Sequence, residues 1–220
     1  MSSIDFLSHD GNDNSVANTA RVSFAGEDWM NLPENYTVKQ RDSLIKYLAK
    51  HKHVSPFRHN SISIRCEEAI PIARQLGKHQ AGFSWNEVSR RYVTEDVTFF
   101  YPDVWRKKPN ESIKQGSGGV FSEPANSHLQ DDYDSVMQFA LDMYNKFLHR
   151  GVAPELARYL LPQGMKTKWV WTGNLLAFSH VYNERIASNA QFECQLFAKE
   201  LDGILRPLFP VAWAALVDRC

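Results

Sequence analysis

The 220-residue sequence carries no surplus charge of either sign: 25 Lys+Arg stand against 25 Asp+Glu. Attraction to a polymer of phosphates or to an anionic lipid surface usually shows as a basic excess, so neither nucleic acid nor a membrane is expected as a partner. A small anionic ligand held by a local cluster of Arg and Lys survives that argument. Cysteine is scarce as well. Cys66, Cys194 and Cys220 are odd in number and widely spaced, which fits neither a disulfide framework nor a zinc knuckle. Long apolar runs are missing: VAWAALV at 211–217 falls far short of the ~20 residues that cross a bilayer. The opening MSSIDFLSHDGND is polar and acidic, unlike a signal or transit peptide. A reduced, soluble, cytoplasmic protein is the expectation.

What is present is globular. A hydrophobic content of 43% with 12% aromatics suits a packed core, and the length suits one domain over 1–220. No internal repeat occurs. Leu44, Ile45 and Leu48 among Lys, Arg and Asp predict a half-buried helix over 38–50, ended by Pro56. HNSISIRC at 59–66 alternates, with Ile62, Ile64 and Cys66 on one face, and predicts a strand. Pro71 opens a helical stretch. Residues 102–126 hold Pro102, Pro109, Gly116, Gly118, Gly119 and Pro124 and read as a long loop insertion, either a flexible surface segment or a lid. Val136, Ala140, Met143 and Phe147 then mark one helix, and Ala190, Cys194, Phe197, Leu201, Ile204 and Leu208 another. A short helix fits 154–161, a strand fits KTKWVW at 166–171, and Asn174, His180 and Arg185 fall on a mostly apolar helix. Several helices with a small, mainly antiparallel sheet make an α+β fold.

The densest polar stretch is ARQLGKHQAGFSWNEVSRRY at 73–92. Its arginines offer bidentate contacts to phosphate, its Ser a hydroxyl, and its Gln and Asn side chains a reading of a base edge. The plain alternative is a solvated helix end. Aromatics within it (Phe83, Trp85, Tyr92) and helix-breaking Gly77 and Gly82 around His79 favour a ligand site. His51, His53 and His59 surround a Ser-Pro turn without a companion Cys or acidic motif, so no metal site is expected. Arg158 lies among Leu, Ala and Tyr in ELARYLLP and must either snorkel to solvent or meet an anion in a cleft. Ser89 has no adjoining base in its motif, which suits a phosphate ligand better than a nucleophile.

The string RQLGKHQAGFSWNEVSRRY resembles the motif of the flavin-dependent thymidylate synthases: Arg-His-Arg, seven residues, then Ser. Four further blocks appear in the family's order: ARVSF at 20–24, HKHVSPFRH at 51–59, ELARYLLP at 155–162, and WTGN, NER and AQFE between 171 and 193. The resemblance covers roughly residues 15–205. It implies an enzyme making dTMP from dUMP, with methylenetetrahydrofolate as carbon donor, NADPH as reductant and FAD as redox cofactor. It further implies a homotetramer whose active sites are shared between subunits. By the same resemblance FAD would be held by Ser23, His53, Ser55, Lys78, His79, Gln80, Glu87, Asn174 and His180. The dUMP contacts would be Gln75, Glu87, Ser89, Arg90, Arg91, Arg158 and Arg185, with Arg185 and His53 nearest the chemistry.

The chain departs from the family at the motif itself. Lys78 and Gln80 stand where the two arginines belong, and eight residues separate Gln80 from Ser89. Leu176 takes a place where relatives often carry Arg. Lys keeps a charge without the planar fork, and Gln keeps hydrogen bonding without the charge. Weaker FAD binding or a reshaped cofactor site is expected, with the extra residue forming a bulge near Gly82. These changes leave two other readings open: an altered pyrimidine nucleotide or one-carbon product, such as hydroxymethylation, and a nucleotide-binding module without catalysis.

Overall fold

The computed structural model describes residues 3–24, 36–109 and 116–218. Four strands form one antiparallel sheet in the order β1-β2-β4-β3. They are β1 (Ser3–Asp10), β2 (Ser61–Ala69), β3 (Phe83–Glu87) and β4 (Lys166–Gly173). Alternation sets the faces. Ile62, Ile64 and Cys66 of β2 are buried, as the sequence predicts, and on β4 Thr167, Trp169 and Trp171 are buried between exposed Lys168 and Val170.

Around the sheet lie α1 (Asp13–Arg21), α2 (Val38–Lys50), α3 (Ile70–Leu76), α4 (Ala125–His149), α5 (Pro154–Ala157), α6 (Leu175–Arg185), α7 (Phe192–Leu208) and α8 (Pro210–Val217). The core joins Trp169 and Trp171 of the sheet to Phe178 of α6, Phe197 and Leu201 of α7 and Trp213 of α8. The apolar run at 211–217 is therefore a core helix. Its first turn is tied to the other end of the chain, because buried Asp13 accepts from the amides of Val211 and Ala212, both at 2.9 Å. Among the described residues no helix is long and apolar enough to cross a membrane.

Several elements differ from their sequence expectations. The helix at 38–50 stops at Lys50, before Pro56, which instead opens a 3-10 turn at Ser55–Arg58. The helix predicted over 154–161 narrows after Ala157 into a 3-10 turn at Arg158–Leu160. On α4 the inner stripe is displaced by one residue: Met137 and Tyr144 are buried, whereas Val136 is 56% exposed. The two stripes have the same period, and hydrogen bonds choose between them. Tyr133 donates to the Phe100 carbonyl (2.9 Å) and Tyr144 to that of Thr94 (3.4 Å), turning that face inward. The described part of 102–126 has no helix or strand before Ala125, only a bridge between Arg106 and Val120. Cys220 lies outside the described residues.

Candidate active site

Two cavities join end to end where α3 meets β3 and β4. The first, about 750 Å³, is lined by Ala73, Gly77, Lys78, His79, Gln80, Phe83, Trp85 and Trp171. The second, about 640 Å³, is lined by Ser89, Arg90, Arg91, Arg158, Tyr159 and Gln163. Ile70, Arg74, Glu87 and Thr167 line both and form the waist between them. Each volume falls in the range of small-molecule sites.

The local chain explains the shape. Ala69 and Pro71 start α3, and Gly77 ends it with its amide on the Ala73 carbonyl (2.8 Å). A tight turn follows, in which the Phe83 amide reaches the Gln80 carbonyl (3.2 Å) and Gly82 adopts φ +81°. Phe83 then starts β3 against Gly173, and Trp85 and Glu87 pair with Trp171 and Trp169. Stacking fixes the wall: Phe83 lies on Trp171 with ring centroids 4.5 Å apart, and Trp85 on Trp169 at 4.3 Å. One end of the groove is thus aromatic.

The other end is cationic. Arg74, Arg90, Arg91 and Arg158 face a single carboxylate, Glu87, among the lining residues. Their commitments differ. Arg158 gives Nε to its own helix at the Glu155 carbonyl (3.2 Å), and its exposed fork has no other acceptor among the described residues. Arg91 is exposed, with Nε on the Ser89 hydroxyl (3.1 Å). Arg74 donates to Gln163 (3.0 Å). Arg90 is spent on the fold: its guanidinium donates to the carbonyls of Val93 (3.4 Å), Glu95 (2.5 Å) and Asp96 (3.0 Å) and closes the loop after β3. A surface arginine that clamps three carbonyls positions the loop more than it offers charge to a ligand.

Of the site residues expected from sequence, Lys78, His79, Gln80, Glu87, Ser89, Arg90, Arg91 and Arg158 line the groove. Gln75, Asn174 and Arg185 lie behind it. Gln75 turns inward, donating to Gln191 (2.6 Å) and accepting from the Cys194 thiol (3.4 Å). Arg185 donates to the Gln75 carbonyl (3.1 Å), and Asn174 caps α6 by accepting from the Ala177 amide (2.9 Å). His180 is exposed on α6. Ser23, His53 and Ser55 sit on or beside the exposed 3-10 turns and line neither cavity; His53 instead approaches Tyr47 edge-on at 6.1 Å. Sequence reasoning missed Thr167, although the alternation of KTKWVWTG places it on the same face as Trp169 and Trp171.

Among the buried polar atoms without a partner are His79 Nε2 and Trp171 Nε1, both of residues that line the first cavity, and Arg185 Nε behind it. Such atoms are costly unless a ligand or water satisfies them. Burial, reinforced by the Arg185 guanidinium and by His180, pushes the His79 imidazole below its usual range, while Glu184 opposes, so the ring is neutral at pH 7. Burial pushes both described thiols up, Cys194 to about 11, which keeps them protonated and unreactive. Among the described residues no group of three or more His, Cys, Asp or Glu side chains is placed to hold a metal.

A cationic pocket that shares one carboxylate with an aromatic pocket has the shape and charge that suit an anionic, ring-bearing ligand. The comparisons with known proteins agree with that class. A family model described as thymidylate synthase complementing protein matches residues 5–211. A flavin-dependent thymidylate synthase of Thermus thermophilus is 33% identical over 208 residues, 94% of this chain and 73% of the relative. That of Wolbachia pipientis wMel is 29% identical over 211 residues, 96% of this chain and 72% of the relative. Among solved structures, the UMP/dUMP methylase PolB of Streptomyces cacaoi bound with 5-Br dUMP matches with a TM-score of 0.87 and 27% identity. That match covers 99% of this chain and 95% of the other. The chain belongs to the flavin-dependent thymidylate synthase family, an enzyme family of the methyltransferase type.

Proposed function

We propose that the protein converts dUMP to dTMP by reductive methylation in the cytoplasm, with FAD, methylenetetrahydrofolate and NADPH. The observation that carries this reading is the continuous groove: arginines at one end, stacked aromatics at the other, one carboxylate between. A nucleoside monophosphate brings about two negative charges, which Arg158, Arg91 and the Ser89 hydroxyl take up through charge-assisted hydrogen bonds. Glu87 accepts a hydrogen bond from the nucleoside, and Arg74 lies beside it.

The aromatic cavity fits a flavin on two counts, its volume and the unpartnered His79 Nε2 of its lining. Lys78, His79 and Gln80 would hold it, with Asn174 supporting the turn from behind. Bound there, FAD supplies the redox chemistry that no side chain can. The chain's own part is to orient the pyrimidine and to stabilise charge. By the family resemblance Arg185 would stabilise negative charge on the ring as its C5 carbon becomes nucleophilic; it is held behind the groove by the Gln75 carbonyl and would have to turn toward the ring to do so. With both described thiols protonated, no covalent cysteine step is called on. Ser23, His53 and Ser55 line neither cavity of this groove, in keeping with active sites completed between subunits of a homotetramer.

A second reading has its own observation: the similar solved structures are complexes of a UMP/dUMP methylase, one with 5-Br dUMP and one with 5-Br UMP. Ribonucleotide use is therefore tested alongside. Purified protein is incubated with methylenetetrahydrofolate, NADPH, FAD and either dUMP or UMP, and the products are weighed by mass spectrometry. Formation of dTMP is expected. Methylation of UMP alone favours the second reading, and a hydroxymethylated product or none overturns the first.

A further inference from the structure

The waist of the groove holds an arrangement that neither the motif nor the family assignment accounts for. Glu87 is at the exposed end of β3, where a Glu side chain ordinarily keeps its rotamer freedom. Here both oxygens are held. The Thr167 hydroxyl donates to Oε1 at 2.6 Å, and the Trp85 indole N–H donates to Oε2 at 3.2 Å. Neither donor can turn away easily. Thr167 is 7% exposed within β4, and Trp85 is clamped face to face on Trp169. Arg74 lines the same waist but gives its Nη1 to Gln163, and among the described residues no cation forms an ion pair with Glu87. The carboxylate is therefore fixed but not neutralised. Two ionised oxygens offer about four lone-pair sites; two are occupied, and those remaining accept from a ligand.

We propose that Thr167 is a positioning residue for nucleotide recognition: with Trp85 it fixes Glu87 as a pure hydrogen-bond acceptor at the waist. The group that Glu87 accepts from is a donor on the nucleoside, a ribose hydroxyl or the imide N–H of a uracil ring. The inference rests on the reading of the groove as the pyrimidine nucleotide site.

The test uses the full-length protein loaded with FAD and measures dUMP binding by calorimetry. Thr167→Val keeps the β-branched shape and removes only the donor. It is expected to weaken dUMP about tenfold while the melting temperature and FAD content stay near those of the parent. Thr167→Ser restores the donor and should restore most of the affinity. In a Glu87→Ala background, Thr167→Val should have little further effect, which a general packing role would not produce. Should Thr167→Val bind dUMP as tightly as the parent, or lose the same factor in the Glu87→Ala background, the positioning role is overturned while the functional reading stands. A parent protein that binds neither dUMP nor UMP overturns both.

Discussion

Asn174 and Gly82 hold each other in place across the back of the groove. The Asn174 amide N–H donates to the Gly82 carbonyl at 3.3 Å, its side chain caps α6, and a Cβ on Gly82 would come within 2.7 Å of Asn174 Nδ2. Gly82 also has φ +81°, a conformation that costs an L side chain about 1–2 kcal/mol. The turn before β3 is thereby coupled to the helix carrying His180 and Arg185.

Gly82→Ala should therefore destabilise the protein by about 2 kcal/mol, combining backbone strain with a disturbed cap. Denaturant unfolding measures the loss, and FAD titration of the folded variant should show weaker binding because Gln80 and His79 shift with the turn. A variant as stable as the parent would mean that the turn relaxes without disturbing α6.

The arginines of the cationic pocket separate into binding and structural roles. Arg158→Ala removes a fork that no described protein acceptor uses beyond Nε. It should lower dUMP affinity by about tenfold to a hundredfold with FAD binding and melting temperature nearly unchanged. Arg90→Ala releases the carbonyls of Val93, Glu95 and Asp96, so its main effect should be on the melting temperature. Unchanged dUMP affinity in Arg158→Ala would place that residue outside the site.

Local structure was legible where one face of an element decides its fate. The alternation of β2 and the stripes of α2 and α7 follow from residues that bury themselves on a period of two or 3.6. The polar composition around His79 also marked a stretch of chain that lines a cavity. Other features depend on partners distant in sequence. β3 was hidden inside the densest polar stretch, because what makes FSWNE a strand is pairing with β4 some 85 residues later. The choice of stripe on α4 waited on the carbonyls of Thr94 and Phe100, and the duty of Arg90 on the loop it closes. Thr167 could be placed on a buried face from its alternation, but not against Glu87.

The missing charge at Gln80 gives a gain-of-function test. Gln80 is exposed and lines the aromatic cavity, where the resemblance expects a cation toward FAD. Gln80→Arg should tighten FAD about twofold to fivefold, the scale of one solvent-exposed ionic contact, read by fluorescence titration at low salt. The gain should shrink at high salt. No gain would mean that the turn at Gly82 has carried position 80 away from the cofactor.

Glu68 should make stability depend on pH near neutrality. It is 1% exposed, both oxygens lack a hydrogen-bond partner, and it faces a cavity of about 200 Å³ walled by Phe100, Tyr101 and Phe192. Arg106 lines the same cavity but is paired with Glu193. Burial pushes the Glu68 carboxyl up to about 7, with the Ala69 amide and Lys166 opposing and Glu200 reinforcing. The fold thus favours the protonated form. Its contribution is fully present below the unfolded value near 4.5 and is lost as pH rises through 7. Glu68→Gln removes the ionisation and keeps the shape. It should match the parent near pH 4.5 and exceed it by about 3 kcal/mol above pH 8, measured by urea unfolding across that range. A constant difference at every pH would show that Glu68 titrates in the folded protein as it does in the unfolded chain.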